Sequence, residues 1–320
     1  MNKTRKIALE EHFMAPGFEE YSQVFLADMD PAEARELGHR LKDFDDTRLE
    51  EMDHANIAYV LLSQSGPGVQ GETDTPLAVR RAQENNDFLA RRISEHPQRY
   101  GGLAALPMQD PPAAVRELRR AVQELGLHGA LVNGHTHGVY YDDPAYDPFW
   151  EAMQELDVPL YLHPINPYKV PQCMEGHPEL VGAVWGWGVE TGTHALRLLF
   201  GGVFDRFPGV KVIVGHMGEG LPFLRWRFDS RFRVYSHGIE LARPPSAYFG
   251  SNILITTSGV CSAPTLMAAI GEMGVEAVMF SVDYPYESTE LAARFIEDAP
   301  MDPEMRELVC HGNAERLFRL

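Results

Sequence analysis

Short apolar runs recur along this chain, each followed by a longer helical pattern, and no other feature limits the fold so strongly. The runs are KIALEEH (6–12), AYVLLSQ (58–64), YGGLAALP (100–107), HGALVNGH (128–135), PLYLHP (159–164), VKVIVGHMG (210–218), ILITTSG (253–259) and AVMFSVDYP (277–285). Most are continuously apolar rather than alternating, as suits strands buried on both faces of a parallel sheet. Between them the spacing predicts helices. TPLAVRRAQENNDFLARRISEH (75–96) carries apolar residues at helical intervals, and APTLMAAIGEMG (263–274) stops on Gly. DPPAAVRELRRAVQELG (110–126) opens on an Asp N-cap with prolines in its first turn and also ends on Gly.

Eight such units in 320 residues predict one α/β domain over 1–320, a (β/α)8 barrel of the TIM type. Residues 14–47 and 164–190 read as irregular insertions over the C-terminal face of the strands. The alternative is an open doubly wound sheet, which the absence of a GxGxxG after the first strand disfavours. SGPGVQG (65–71) lacks the Lys-Ser/Thr of a phosphate loop and reads as an ordinary strand–helix turn.

The net charge of −18, from 28 basic and 46 acidic residues, repels phosphate backbones and anionic lipid. Nucleic acid and membrane are therefore not expected partners, and an anionic substrate would need local positive charge. Cys173, Cys261 and Cys310 are too few and too scattered for a disulfide framework. With no apolar signal segment and no membrane-length apolar stretch, the expectation is a cytoplasmic protein.

In a barrel of this kind the catalytic groups project from the C-terminal strand ends. Those ends carry Glu10 and His12 on the first run, Asn133 and His135 on the fourth, and His163 on the fifth. His216 and Glu219 follow the sixth, and Asp283 the eighth. Strand alternation puts Glu10 and His12 on one face, with Glu11 opposite. Pointing into the barrel mouth, they meet His163 and Asp283, and two carboxylates with two imidazoles suit one divalent metal. His194 reads as a packed helix residue, His135 and His137 as solvated loop residues, and Ser258 as a strand-end hydrogen-bonding group.

EEHF (10–13), YLHP (161–164), GHMGEGLP (215–222), ITTSG (255–259) and FSVDYP (280–285), in this order, resemble the decarboxylase branch of the amidohydrolase superfamily. The resemblance runs on through PMQDP (107–111), GALVNG (129–134) and NAERLFRL (313–320). It implies a metal-dependent, reversible, non-oxidative decarboxylase of an ortho-hydroxybenzoate, with 2,6-dihydroxybenzoate expected first. 2,3-Dihydroxybenzoate, salicylate and 5-carboxyvanillate are alternative substrates, and a metal-dependent hydrolase is a further alternative activity.

The resemblance also implies roles for residues. Glu10, His12, His163 and Asp283 would hold one Zn²⁺ or Mn²⁺ ion per chain. Asp283 would serve as the acid, with His216 and Glu219 supporting it beside the substrate. Arg227 of LRWRFD and Tyr286 of DYPYE would contact substrate. A homodimer or homotetramer is the implied assembly. Glu10 stands where hydrolytic members carry the first His of HxH, and HGALVNG offers no Lys for a second metal. An acid at Asp283 would need a raised pKa, toward which burial and Glu10 push and against which the metal's charge pulls.

Overall fold

The computed structural model of the chain describes residues 3–21 and 29–320. All eight predicted strands are present: β1 (Lys6–Phe13), β2 (Ile57–Gln64), β3 (Tyr100–Gly102), β4 (Ala130–Asn133), β5 (Leu160–His163), β6 (Val212–Val214), β7 (Ile253–Thr256) and β8 (Val278–Met279). They pair in parallel in two arcs, β1-β2-β3 and β4-β5-β6-β7-β8. Single parallel bridges join the arcs at both seams, Ala104 with Ala130 and Glu11 with Tyr284. The result is an α/β barrel. Every residue of β1, β4, β5 and β7 is buried, which is why these runs lack the alternation of a half-exposed sheet.

The helices follow from local signals. Asp110 caps Pro111–Gln123 by accepting from the Ala113 N–H at 3.0 Å. That helix stops at Gln123, so Gly126, at φ +71°, lies beyond its end rather than at it. Thr75–Glu95 and Ala263–Met273 form as predicted. The eighth strand departs most from expectation, with only two residues pairing regularly. Beyond it side-chain bonds alternate with isolated main-chain ones, as where the Ser281 N–H donates to Thr257 Oγ1 at 3.0 Å and the Asp283 N–H to the Glu10 carbonyl at 3.1 Å.

Parts of both expected insertions do cover the C-terminal face, since Met29, Leu41, Ile165, Asn166, Val181 and Trp185 line its cavity. Residues 22–28 of the first insertion lie outside the described residues. No helix among the described residues is long and apolar enough to cross a membrane. The three cysteines are free, Cys310 buried and the other two exposed.

Candidate metal centre

β1 does not run straight into the barrel mouth. Its pairing with β2 slips between Ala8 and Glu11, where three steps along β1 match two along β2, from Val60 to Leu62. Such a bulge re-aims side chains, and here it falls on Leu9 and Glu10. The ligand atoms of Glu10, His12, His163 and Asp283 all lie within 4.8 Å of one another. His12 Nε2 stands 3.2 Å from Asp283 Oδ1, and His163 Nε2 stands 3.4 Å from Glu10 Oε1. Those spacings match the edge, about 3.4 Å, of a tetrahedron of metal bonds near 2.1 Å.

The donor set fits a divalent cation on further grounds. Glu10 Oε1 and His12 Nε2 are buried with no hydrogen-bond partner, a costly state unless a cation satisfies them. Each remaining valence is occupied. Tyr161 and Ser258 hydroxyls donate to Glu10 Oε2, turning Oε1 alone toward the centre. His12 Nδ1 pairs with Ser63 Oγ at 3.2 Å. The His163 Nδ1–H donates to the Pro164 carbonyl at 3.0 Å, so Nε2 carries the free lone pair. Burial, then the neighbouring His12, holds the His163 pKa well below the ordinary imidazole value and keeps it neutral for ligation. Gly215 permits this packing, because a Cβ there would sit 2.6 Å from Glu10 Oε2 and 3.0 Å from Ser258 Oγ.

His216 and Glu219 stand beside the four ligands. They lie in a turn where His216, Met217, Gly218, Glu219 and Gly220 all have positive φ, between 50° and 76°. Three non-glycine residues so placed carry strain of about 1 kcal/mol or more each. The turn presents His216 Nδ1 to Glu219 Oε1 at 2.8 Å and Nε2 to Asp283 Oδ2 at 3.5 Å. Burial would lower the His216 pKa, but the charges of Glu10 and Glu219 and hydrogen bonds to Asp283 and Glu219 lift it well above the ordinary value.

Opposing influences act on Asp283. Burial pushes its carboxyl up, yet hydrogen bonds and charge from His12 and His216 outweigh burial and hold it below the ordinary carboxylate range. Burial raises Glu10 instead, against His216 and with Asp283.

The centre opens into a cavity of about 1150 Å³. Tyr286 lines it, with its hydroxyl paired to Ser65 Oγ and its ring 5.6 Å from that of His12. Burial pushes the Tyr286 phenol up to about 12. Arg227 is not brought into this cavity. Leu224 is the last residue of its segment to line the wall, and Arg227 sits one helical turn further on, exposed on helix Arg225–Phe232. No Lys or Arg is among the described lining residues. Gly66 and Pro67 of SGPGVQG do line the cavity, although the segment reads as an ordinary turn. His135 is buried, not solvated, with Nε2 3.2 Å from the Asn166 carbonyl. His194 is packed as expected, and burial drives its pKa down to about 3.

Residues 12–320 match the model of a family described as Amidohydrolase. The chain belongs to that family. The γ-resorcylate decarboxylase of Polaromonas sp. strain JS666 is 43% identical to this amidohydrolase over 324 residues, 98% of each chain. A crystal structure of dihydroxybenzoic acid decarboxylase from the same strain holds manganese and the inhibitor 2-nitroresorcinol. It superposes with a TM-score of 0.94 at 42% identity, over 99% of this amidohydrolase and 97% of that chain. The 5-carboxyvanillate decarboxylase of Sphingomonas paucimobilis gives a TM-score of 0.91 at 36% identity, over 99% of each chain.

Proposed function

We propose that this chain, acting as a single barrel domain, is a metal-dependent, reversible, non-oxidative decarboxylase of an ortho-hydroxybenzoate, with 2,6-dihydroxybenzoate as its first substrate and resorcinol and CO₂ as products. The observation that carries the reading is the buried Glu10–His12–His163–Asp283 cluster opening into an aromatic-lined cavity, in a family whose similar members are named for this reaction. Mn²⁺, held in the Polaromonas structure, is the first candidate metal, and Zn²⁺ the second.

Held by Glu10, His12, His163 and Asp283, a divalent metal would supply electrophilic stabilisation of negative charge on the substrate. The chain's own residues handle the proton. Direct loss of CO₂ would leave an aryl carbanion, so the carboxyl-bearing carbon must be protonated before the C–C bond breaks. Asp283 delivers that proton. His216 stands close enough to resupply it, with Nε2 3.5 Å from Asp283 Oδ2. His216 is in turn braced by Glu219, whose Oε1 lies 2.8 Å from its Nδ1. Tyr286 borders the ring's position beside His12.

The test uses Mn²⁺-loaded protein, a panel of ortho-hydroxybenzoates and D₂O. Decarboxylation is expected to release CO₂ and leave deuterium on the carbon that lost it. Concentrated bicarbonate is expected to carboxylate resorcinol ortho to a hydroxyl. A hydrolase would place no label on carbon. Absence of both CO₂ release and labelling across the panel would refute the decarboxylase reading.

Arg227 also takes a place in this function, through a second copy of the chain. The residues around it are exposed and apolar: Trp226 at 79%, Phe223 at 47% and Leu224 at 44%. At the cavity rim Val184 and Trp185 are exposed too. These exposed side chains favour a homo-oligomer that buries them and carries Arg227 toward the partner's cavity, where the planar fork would grip substrate oxygens. Arg227→Ala mixed with Asp283→Asn is expected to regain activity, because one site in each mixed dimer then has both residues. No gain over the separate variants, with mixed oligomers demonstrated, would exclude action across the interface.

A further inference from the structure

Three of the four candidate ligands converge on the β1–β8 seam, which regular strand pairing does not close. Asp283 lies four residues past the end of β8, in a left-handed conformation at φ +79°. Side chains fill the gap. The Ser281 hydroxyl accepts from the bulged Leu9 and Glu10 N–H groups at 3.2 and 2.6 Å. Glu11, facing away from the ligands, accepts at Oε1 from the Val282 N–H at 3.0 Å and the Ser281 hydroxyl at 3.3 Å. Main-chain bonds flank this clamp, from Asp283 N–H to the Glu10 carbonyl at 3.1 Å and from His12 N–H to the Tyr284 carbonyl at 2.7 Å.

Glu11 is a carboxyl only 3% exposed, on a chain position where any apolar residue would bury more cheaply. Its neighbour Arg48 is equally buried, donates to the His12 carbonyl at 2.6 Å and lies 4.3 Å from the Tyr284 ring centroid. The polar groups therefore bracket the residues that carry the ligands, on the side away from the cavity.

We propose that Glu11, working with Ser281, is a positioning residue that reinforces the sparsely paired β1–β8 seam and sets Asp283 against Glu10 and His12. The inference rests on Asp283 being a metal ligand and proton donor. Outer groups that orient ligands are worth about 10- to 100-fold in metal affinity or activity. Glu11→Leu keeps the volume and deletes the acceptor for Val282. Gln at the same position keeps an oxygen acceptor.

The experiment titrates metal-free full-length protein with Mn²⁺ and records the EPR spectrum of the bound ion alongside kcat and Tm. Glu11→Leu is expected to weaken Mn²⁺ binding by about tenfold or more and to alter the zero-field pattern. Glu11→Gln is expected to recover most of the affinity and the wild-type spectrum. Ser281→Ala is expected to shift both readouts in the same direction as Glu11→Leu, and it decides the matter where that variant does not fold. A fall in Tm with wild-type affinity and spectrum, in Glu11→Leu or in Ser281→Ala, overturns the inference. Wild-type protein that binds no Mn²⁺ overturns the metal reading beneath it.

Discussion

Asp283→Asn is expected to lower kcat for 2,6-dihydroxybenzoate by about 10³-fold or more, within the range set by losing a positioned proton donor. The amide keeps the shape and one oxygen, so the backbone bond from Asp283 N–H to Glu10 survives. On the proposed mechanism it loses the carboxylate that would take a proton from His216, whose Nε2 stands 3.5 Å from Asp283 Oδ2. Solvent exchange of the resorcinol ring hydrogen should vanish with the forward reaction, since both use the same transfer. A folded variant that binds Mn²⁺ and keeps more than about a tenth of the activity would remove Asp283 from the chemistry.

His163→Ala is expected to strip the protein of its metal. His163 supplies a neutral nitrogen, held in one tautomer by the Pro164 carbonyl, and Ala offers no donor in its place. Glu10 Oε1, 3.4 Å from His163 Nε2, then loses its counterpart across the centre. Elemental analysis should show metal content falling from about one ion per chain to near zero after dialysis. Wild-type protein at 100 times its Kd gains about 2.7 kcal/mol from the ion, and the variant should show no metal-dependent rise in Tm. Full occupancy in His163→Ala would break the ligand set.

The strands were legible because each is coded locally, as an apolar run long enough to be buried on both faces. The centre was legible for a related reason. One His or carboxylate at a strand end says little alone, but Glu10, His12, His163 and Asp283 gather at the ends of three strands, and alternation pairs Glu10 with His12. What depends on another part of the chain was not legible. Glu11 reads as the outward residue of a strand until Val282 and Ser281 are seen against it. The bulge at Leu9–Glu10 leaves no mark in a continuous apolar run. AVMFSVDYP reads as one long strand, yet only Val278–Met279 pairs as such, because Ser281 and Val282 find side-chain partners across the seam. The direction of the Asp283 pKa was hidden too, since it depends on His12 and His216 together. Arg227 was assigned to substrate by resemblance, and its place outside the cavity appears only once Leu224 ends the wall and helix Arg225–Phe232 carries it onward.

The seam has a consequence for how the protein is made. Glu10 and Ser281, joined through the Glu10 N–H, are 271 positions apart. During synthesis β1 emerges first among the strands, and its two ligands then wait while nearly the whole barrel is translated. At about 5–20 residues per second that interval lasts roughly 15–55 s. A nascent chain therefore holds Glu10, His12 and later His163 without Asp283. Contacts of such long sequence separation are slow to form, so metal acquisition is expected to follow completion of the barrel. A ribosome-bound chain halted before residue 283 should capture Mn²⁺ no better than an unfolded peptide, whereas one extended by a linker that clears the exit tunnel should bind it fully.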